Sequence, residues 1–402
     1  MVIYLSGGVD CHQLLSPRAG ANRRAYEAAR PGLALPDYPA AALTPDWQLH
    51  PVLTSLHAAW AAGQLGIVRN VGPLLQPVSA VDYRQRSKPL PPQLFSHSSQ
   101  NSLWQAGDAG VLAPRTGWIG RLMELLHPVY SPAARLSPML SFSGPQPSFG
   151  AETLRSLGLS QDGAEPRMST RRIPRDVVAL AEQVMARMAT TRDLGAGHPL
   201  AQEYARAQHR AAGVVSLIND ALASVQVTTS FPALPALKTA ARLFKADSLL
   251  GRRRSVHFLM HGGYDQHREL ASDLQERLKD LNAGLTAFRA ALEELKLTDD
   301  VLTVIYSEFG RSLVQNASGT DHGWGGHVLL LGGGVRTGLH GREPDLTRNS
   351  PDLVEARGLL LPSTATDQLM AELASWMGLP RDLMPSVLPN LGAFQRLEPL
   401  FA

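Results

Sequence analysis

Val2-Ile3-Tyr4-Leu5-Ser6-Gly7-Gly8-Val9-Asp10 opens the chain, and its reading sets the fold. The apolar run Val2 to Leu5 suits a buried strand. Ser6-Gly7-Gly8 then breaks it, which puts Asp10 just past the strand's carboxyl end. Working outward, Leu53, Leu56, Ala59 and Trp60 share one helical face between Leu49 and Gln64, and Leu65 to Gly72 reads as a second strand. Strand, helix, strand in that order predicts an α/β fold with a mainly parallel central sheet. Similar apolar runs recur at 255–260, 301–306 and 328–331. The five strands, with 2–5 and 65–71, are expected in one sheet flanked by helices. Leu270, Leu274, Leu278, Leu281, Leu285, Phe288, Leu292 and Leu295 step by three or four residues, so a long amphipathic helix follows the third strand.

The intervening segments are less regular. Residues 73–95 are proline-rich and form an excursion long enough to suggest a functional loop. A helix is expected from Ser96 to about Ala106. Residues 130–172 carry many Ser, Pro and Gly and read as exposed loops. From 175 to 225 the period is helical, broken at Gly195-Ala196-Gly197-His198-Pro199. This predicts two helices in an insertion spanning about 173–227, inside a single domain covering 1–402.

Bulk composition excludes several classes. Hydrophobic residues at 44% and charged residues at 18% are ordinary for a globular protein able to bury a large core. Net charge is only +3, and the basic residues are scattered apart from Arg252-Arg253-Arg254 and Arg171-Arg172. A nucleic-acid binder would gather them on one face, so no nucleic-acid partner is expected. Cys11, the single cysteine, rules out an internal disulfide. No apolar run approaches bilayer length. The chain starts inside its first strand with no secretory leader, which fits a cytoplasmic protein or the trimmed form of an exported one.

The polar residues that stand out follow strands: Asp10, then Asp265 and His267, then Glu308, and the cluster Asp321-His322-Gly323 with His327. In open α/β sheets the ligand crevice lies beyond the strands' carboxyl ends. Carboxylates and imidazoles converging there suit a hydrolytic metal site. Asp265 and His267, two residues apart, point to one side of an extended segment and fit one ion. Each residue also has a plainer reading. Asp10 after Gly-Gly suits a turn or a helix cap. His322 and His327 suit loop carbonyls, and Glu308 suits Arg311. Gly332-Gly333-Gly334 lacks the Lys-Ser/Thr of a phosphate loop. Ser96, at a helix start, is both a candidate nucleophile and a preferred structural cap.

These motifs resemble the domain-of-unknown-function 1501 family, described as sulfatase-like members of the alkaline phosphatase superfamily. The resemblance runs nearly end to end. It includes Leu5-Ser6-Gly7-Gly8-Val9-Asp10, Arg30-Pro31, Leu49-His50-Pro51, Ser96-His97 and Gly117-Trp118-Ile119-Gly120-Arg121. It continues through Gly262 to His267, Ser307-Glu308-Phe309-Gly310-Arg311 and Gly319-Thr320-Asp321-His322-Gly323. It implies an alkaline phosphatase-like three-layer fold, export to the periplasm, and metal ligands among Asp10, Asp265, His267, Glu308, Asp321 and His322. Ser96 is the match to the nucleophile, with Ser98 as the other choice, and His97 or His327 would transfer protons. One complete site of Asp265, His267 and His322 is expected. A second, from Asp10 and Glu308, lacks an imidazole because Phe309 stands where related enzymes carry His.

Two functions follow. The first is metal-assisted hydrolysis of phosphate or sulfate monoesters, on an anionic and carbohydrate-linked substrate. The ion would be zinc or manganese, with magnesium or calcium as harder alternatives. The second is a non-catalytic binding or assembly protein of the cell envelope that keeps the fold.

Overall fold

Successive residues of the first strand enter two different cores. Ile3 and Leu5 belong to one apolar cluster, Val2 and Tyr4 to another. That alternation is the period of an extended strand, so a single sheet separates the two clusters. The computed structural model describes residues 1–164, Gln183 and residues 199–401.

The central strands are β1 (Val2–Ser6), β2 (Leu65–Gly72), β3 (Met139–Ser141), β4 (Leu157–Gly158), β5 (Val256–Gly262), β6 (Leu302–Tyr306), β7 (Gly326–Gly332), β8 (Gly338–His340) and β9 (Thr364–Ala365). They form one nine-stranded sheet in the order β8-β2-β7-β6-β1-β5-β3-β4, with β9 also on β2. Val2 pairs with Phe258 on one side and Val304 on the other, both parallel. Among the described strands of this sheet, only β7 runs against its neighbours, β2 and β6. All five expected strands therefore share a mainly parallel sheet.

One face is covered by the helices Thr54–Ala61, Ala236–Lys245 and Leu270–Glu294, whose buried side chains join Ile3, Leu5, Ile67 and Ile305. The other is covered by Trp118–Tyr130 and Thr366–Trp376, which join Val2, Tyr4, Val304 and Leu330. The leucine stripe supplies the first core: Leu270, Leu274, Leu278, Leu281 and Leu285 are all fully buried. At about 1.5–3 kcal/mol each, five such side chains are a large part of the driving force on that face.

Two expectations need correction. Residues 130–172 are not only exposed loops, because Met139–Ser141 and Leu157–Gly158 extend the sheet and Met139 and Leu140 are buried. Strands of two or three residues are too short to show a period. The helix expected from Leu49 is confined to Thr54–Ala61, since Trp47–Leu49 pairs with Leu15–Pro17 as a small antiparallel ribbon. Of the helical insertion, Pro199–Ser224 is present as a helix. The helix expected before Gly195 lies outside the described residues. Among the described residues, no helix is long and apolar enough to cross a membrane.

This topology brings the candidate residues to one edge. Strands β1, β2, β5 and β6 are mutually parallel, so Gly7-Gly8, the 73–95 excursion, Gly263–His267 and Ser307–Gly310 all leave the sheet on the same side. β7 runs the other way, so the segment before it arrives at that same side. His322, which ends the short strand Gly319–His322 four positions before β7 begins, is thus delivered on the approach to that strand.

Candidate metal centre

Two glycines make the close approach of these loops feasible. Gly7 has φ +122°, and a Cβ there would lie 2.4 Å from the Asp265 nitrogen. Gly8 has φ +72°, and its Cβ would meet the Phe309 ring at 2.0 Å. Side chains rarely adopt such backbone angles and have no room here. The Gly7 N–H donates to the two Glu308 oxygens at 3.0 and 3.3 Å.

Glu308 is buried, and its Oε1 lies 2.7 Å from His97 Nδ1. A carboxylate accepts only, so Nδ1 carries the proton and Nε2 presents a lone pair. His322 is fixed in the same way: its Nδ1 lies 2.8 Å from the Phe95 carbonyl oxygen, another pure acceptor. The two Nε2 atoms then face each other at 3.0 Å. Two lone pairs at that distance repel unless a cation or a proton sits between them.

The same point gathers two more donors. Asp265 Oδ1 is 3.3 Å from His97 Nε2, 3.4 Å from His322 Nε2 and 3.0 Å from His267 Nε2. His267 Nε2 is 2.9 Å from His322 Nε2. Donor atoms of His97, Asp265 and His322 all lie within 4.8 Å of one another. Ligands about 2.0–2.1 Å from a tetrahedral ion are separated by roughly 3.3 Å, so the edges among His97 Nε2, His322 Nε2 and Asp265 Oδ1 fit two imidazoles and a carboxylate on one ion with a position left open. His267, expected in the set in place of His97, stands beside this group against His322 and Asp265. Imidazole donors suit borderline ions such as zinc better than oxygen-preferring calcium.

The surrounding charges act on the donors in opposite senses. Arg311, fully buried, donates from NH1 to Asp265 Oδ1 at 3.0 Å. Burial acts to raise the Asp265 carboxyl, but the Arg311 hydrogen bond and charge outweigh it and hold the group below the usual carboxylate range. The hydrogen bond to Glu308 raises the His97 imidazole, against the effect of its burial. Burial lowers His322, so it stays neutral. Hydrogen-bonded carboxylates and carbonyls behind metal-binding imidazoles commonly fix their tautomer.

The model of the family described as "Protein of unknown function (DUF1501)" matches residues 2–388. The chain belongs to the DUF1501 family. The curated proteins contain no match. The wider placement drawn from the motifs is corrected here: the DUF1501 description names no sulfatase, and membership extends to DUF1501 alone.

Within this DUF1501 chain the other candidates are placed as follows. Asp10 is fully buried and makes a two-pronged pair with Arg30, NH1 to Oδ1 and NH2 to Oδ2, both at 2.9 Å. It also caps the helix Cys11–Leu14 through the Gln13 N–H and accepts from Thr320 Oγ1 at 3.1 Å. Burial opposes its ionisation, and the Arg30 charge overcomes that and lowers its pKa. With both oxygens engaged, Asp10 has no lone pair aimed at the centre. Glu308, tied to Gly7 and His97, stands behind a ligand and is not one. The second ion site expected from these two carboxylates does not form. Phe309 packs beside the first, its ring centroid 4.8 Å from His97 and 5.1 Å from His322.

Asp321 Oδ1 is 3.5 Å from His267 Nδ1, so it too lies behind an imidazole. His327 is buried inside β7, where its Nδ1 accepts from the Asn70 N–H at 3.2 Å and burial pulls its pKa down to about 3. That environment removes it from proton transfer near neutral pH. Ser96 precedes the helix His97–Ala106, makes no side-chain capping bond, and has Ser98 Oγ at 3.2 Å. His97, expected to transfer protons, instead places its Nε2 in the donor cluster. Arg311, expected to pair with Glu308, instead braces Asp265. The Phe95 carbonyl, on a residue with φ +69°, gave no signal at all.

Proposed function

We propose that this chain is a metal-assisted hydrolase of phosphate or sulfate monoesters, with zinc or manganese as its ion. The reading is carried by the convergence of the His97 and His322 Nε2 atoms with Asp265 Oδ1, both imidazoles being locked with their lone pairs inward. When bound, a divalent ion would polarise an ester oxygen and favour ionisation of a hydroxyl nucleophile. Ser96 suits that nucleophile. It adjoins His97, and its hydroxyl is not spent on capping the helix. The first N–H groups and the dipole of that ten-residue helix favour negative charge beside it. Arg311 keeps Asp265 ionised and in place, and Glu308 keeps the His97 proton on Nδ1. A sheet covered on both faces, with the cluster at its strand ends, supports an alkaline phosphatase-like three-layer arrangement of one domain. The motif resemblance supports a periplasmic location.

The test is turnover of aryl phosphate and aryl sulfate by zinc- and manganese-loaded protein, with Ser96→Ala alongside. We expect hydrolysis by the wild type and its loss in Ser96→Ala, with metal content and melting temperature unchanged. Equal turnover in Ser96→Ala would remove the nucleophile, and no turnover of either ester by loaded wild type would remove the hydrolase.

A second reading, a binding protein without turnover, is favoured by one observation. Arg30 occupies Asp10 and Phe309 packs against the imidazoles, so a two-ion clamp on an ester is not available. Metal binding without turnover would select it.

A further inference from the structure

We propose that the chain holds a second site, at the opposite edge of the sheet from the metal centre, which takes a free α-amino acid with an apolar side chain. Neither the ion nor the hydrolase reading enters into it. Two adjoining spaces make the site. The inner one is a cavity of about 90 Å³ between the sheet and the helices Trp118–Tyr130 and Thr366–Trp376. Val304 and Tyr306, on one face of β6, line it with Leu122, Leu373 and Trp376. Tyr306 ends that strand, and Trp104 stacks on it at 4.8 Å, so the two rings close the inner end. A single water needs about 10–15 Å³, so the cavity has room for an apolar group of several carbons.

The outer space is a groove of about 400 Å³ that shares Ser255, Asp300, Val301 and Trp376 with the cavity. Ser255 and Val301 stand just before β5 and β6, which puts the mouth at the amino ends of these strands. The groove carries charge of both signs, from Arg253 and Arg254 and from Asp299 and Asp300. Arg254 is fixed in place. Its Nε donates to the Met377 carbonyl and its Nη1 to the Arg253 carbonyl, both at 2.9 Å, and the guanidinium lies 4.8 Å from the centre of the Tyr130 ring. Asp247, the other carboxylate of the groove, is already engaged by Arg252 and by the Ser255 hydroxyl at 2.6 Å. Among the described residues, no ion pair joins Arg253 or Arg254 to Asp299 or Asp300.

Two guanidinia and two carboxylates, unpaired with one another at the mouth of an apolar cavity, match a molecule with the complementary parts. Its carboxylate meets Arg253 and Arg254, its ammonium meets Asp299 and Asp300, and its side chain enters the cavity. A fatty acid would bring its head group against the two carboxylates, and an alkylamine would bring its own against the two arginines. A zwitterion alone suits both. Removal of the side chain from water drives the binding, and the two charge-assisted contacts select the head group.

The test is calorimetric titration of the full chain with leucine, isocaproate and isoamylamine, which share one side chain and differ in the head group, and with glycine, which lacks the side chain. We expect leucine to bind and each of the other three to bind at least about tenfold more weakly, since each forgoes one of the contacts. Arg254→Met should bring leucine down to the level of isoamylamine, and Asp300→Asn should bring it down to that of isocaproate. Leu373→Trp, which fills the cavity, should abolish binding of all of them. The proposal fails if wild type does not bind leucine at millimolar concentration, or if isocaproate, isoamylamine or glycine binds as well as leucine does. It fails too if Leu373→Trp folds and still binds leucine. Should that variant misfold, the four ligands on wild type decide.

Discussion

Replacing Asp10 by Ala separates a structural carboxylate from a metal ligand. Asp10 and Arg30 are both without solvent exposure, and two 2.9 Å bonds join them. Arg30 also donates to the Leu313 and Ser312 carbonyls, each at 2.7 Å, so the pair fastens the hairpin that carries His322 to the first loop. Asp10→Ala would leave a buried guanidinium without a counter-charge, which costs about 3–5 kcal/mol. Loss of the cap on Gln13 adds roughly 1 kcal/mol. Allowing for overlap between these, the expected loss is about 4 kcal/mol, a large part of the typical 5–15 kcal/mol total. Urea denaturation of wild type, Asp10→Ala, Arg30→Met and the double variant reads it directly. The double variant should be the more stable of the two that lack Asp10, because it no longer buries an unpaired charge. The pH dependence has a definite sign. The folded pKa of Asp10 is depressed, so its contribution is complete above the unfolded value and is lost as pH falls through the folded one. A cost under about 1 kcal/mol for Asp10→Ala, or metal release at unchanged stability, would refute a purely structural role for Asp10.

Glu308→Gln should weaken zinc by about 10–100-fold with the fold retained, because the amide no longer holds the His97 proton on Nδ1 with a full charge; competition with a chromophoric chelator measures it. Zinc affinity should be highest with the imidazoles neutral and fall as pH drops. The Glu308 hydrogen bond raises His97, so the decline should begin at higher pH in wild type than in Glu308→Gln, which calorimetric titration across pH would show.

How much of this was readable from the chain depends on the range of the interaction. Strands such as Val2 to Leu5 and Val301 to Tyr306 are buried on both faces, and a continuous apolar run records that locally. The leucine stripe of Leu270–Glu294 records its burial in the same way. Strands β3, β4, β8 and β9 have two or three residues each, fewer than any period needs. Asp265, His267 and His322 were visible because residues just beyond strands gather at one edge, although His322 owes its place to the reversed direction of β7. The role of Asp10 was hidden because its partner Arg30 is twenty residues away, joined by packing and by no spacing rule. His97 was legible only as a neighbour of Ser96. What makes it a donor is Glu308, 211 positions further on.

The central claim is that the His97 and His322 imidazoles and the Asp265 carboxylate meet at a single ion. X-ray absorption at the zinc edge, on protein purified without chelators and supplied with one equivalent of zinc, tests it most directly. The expected first shell is nitrogen and oxygen at about 2.0–2.1 Å, with multiple scattering from two imidazoles and no sulfur. The His97→Ala protein should show a lower imidazole count or no bound zinc. A wild-type shell with one imidazole or none, or zinc lost on desalting, would contradict the account.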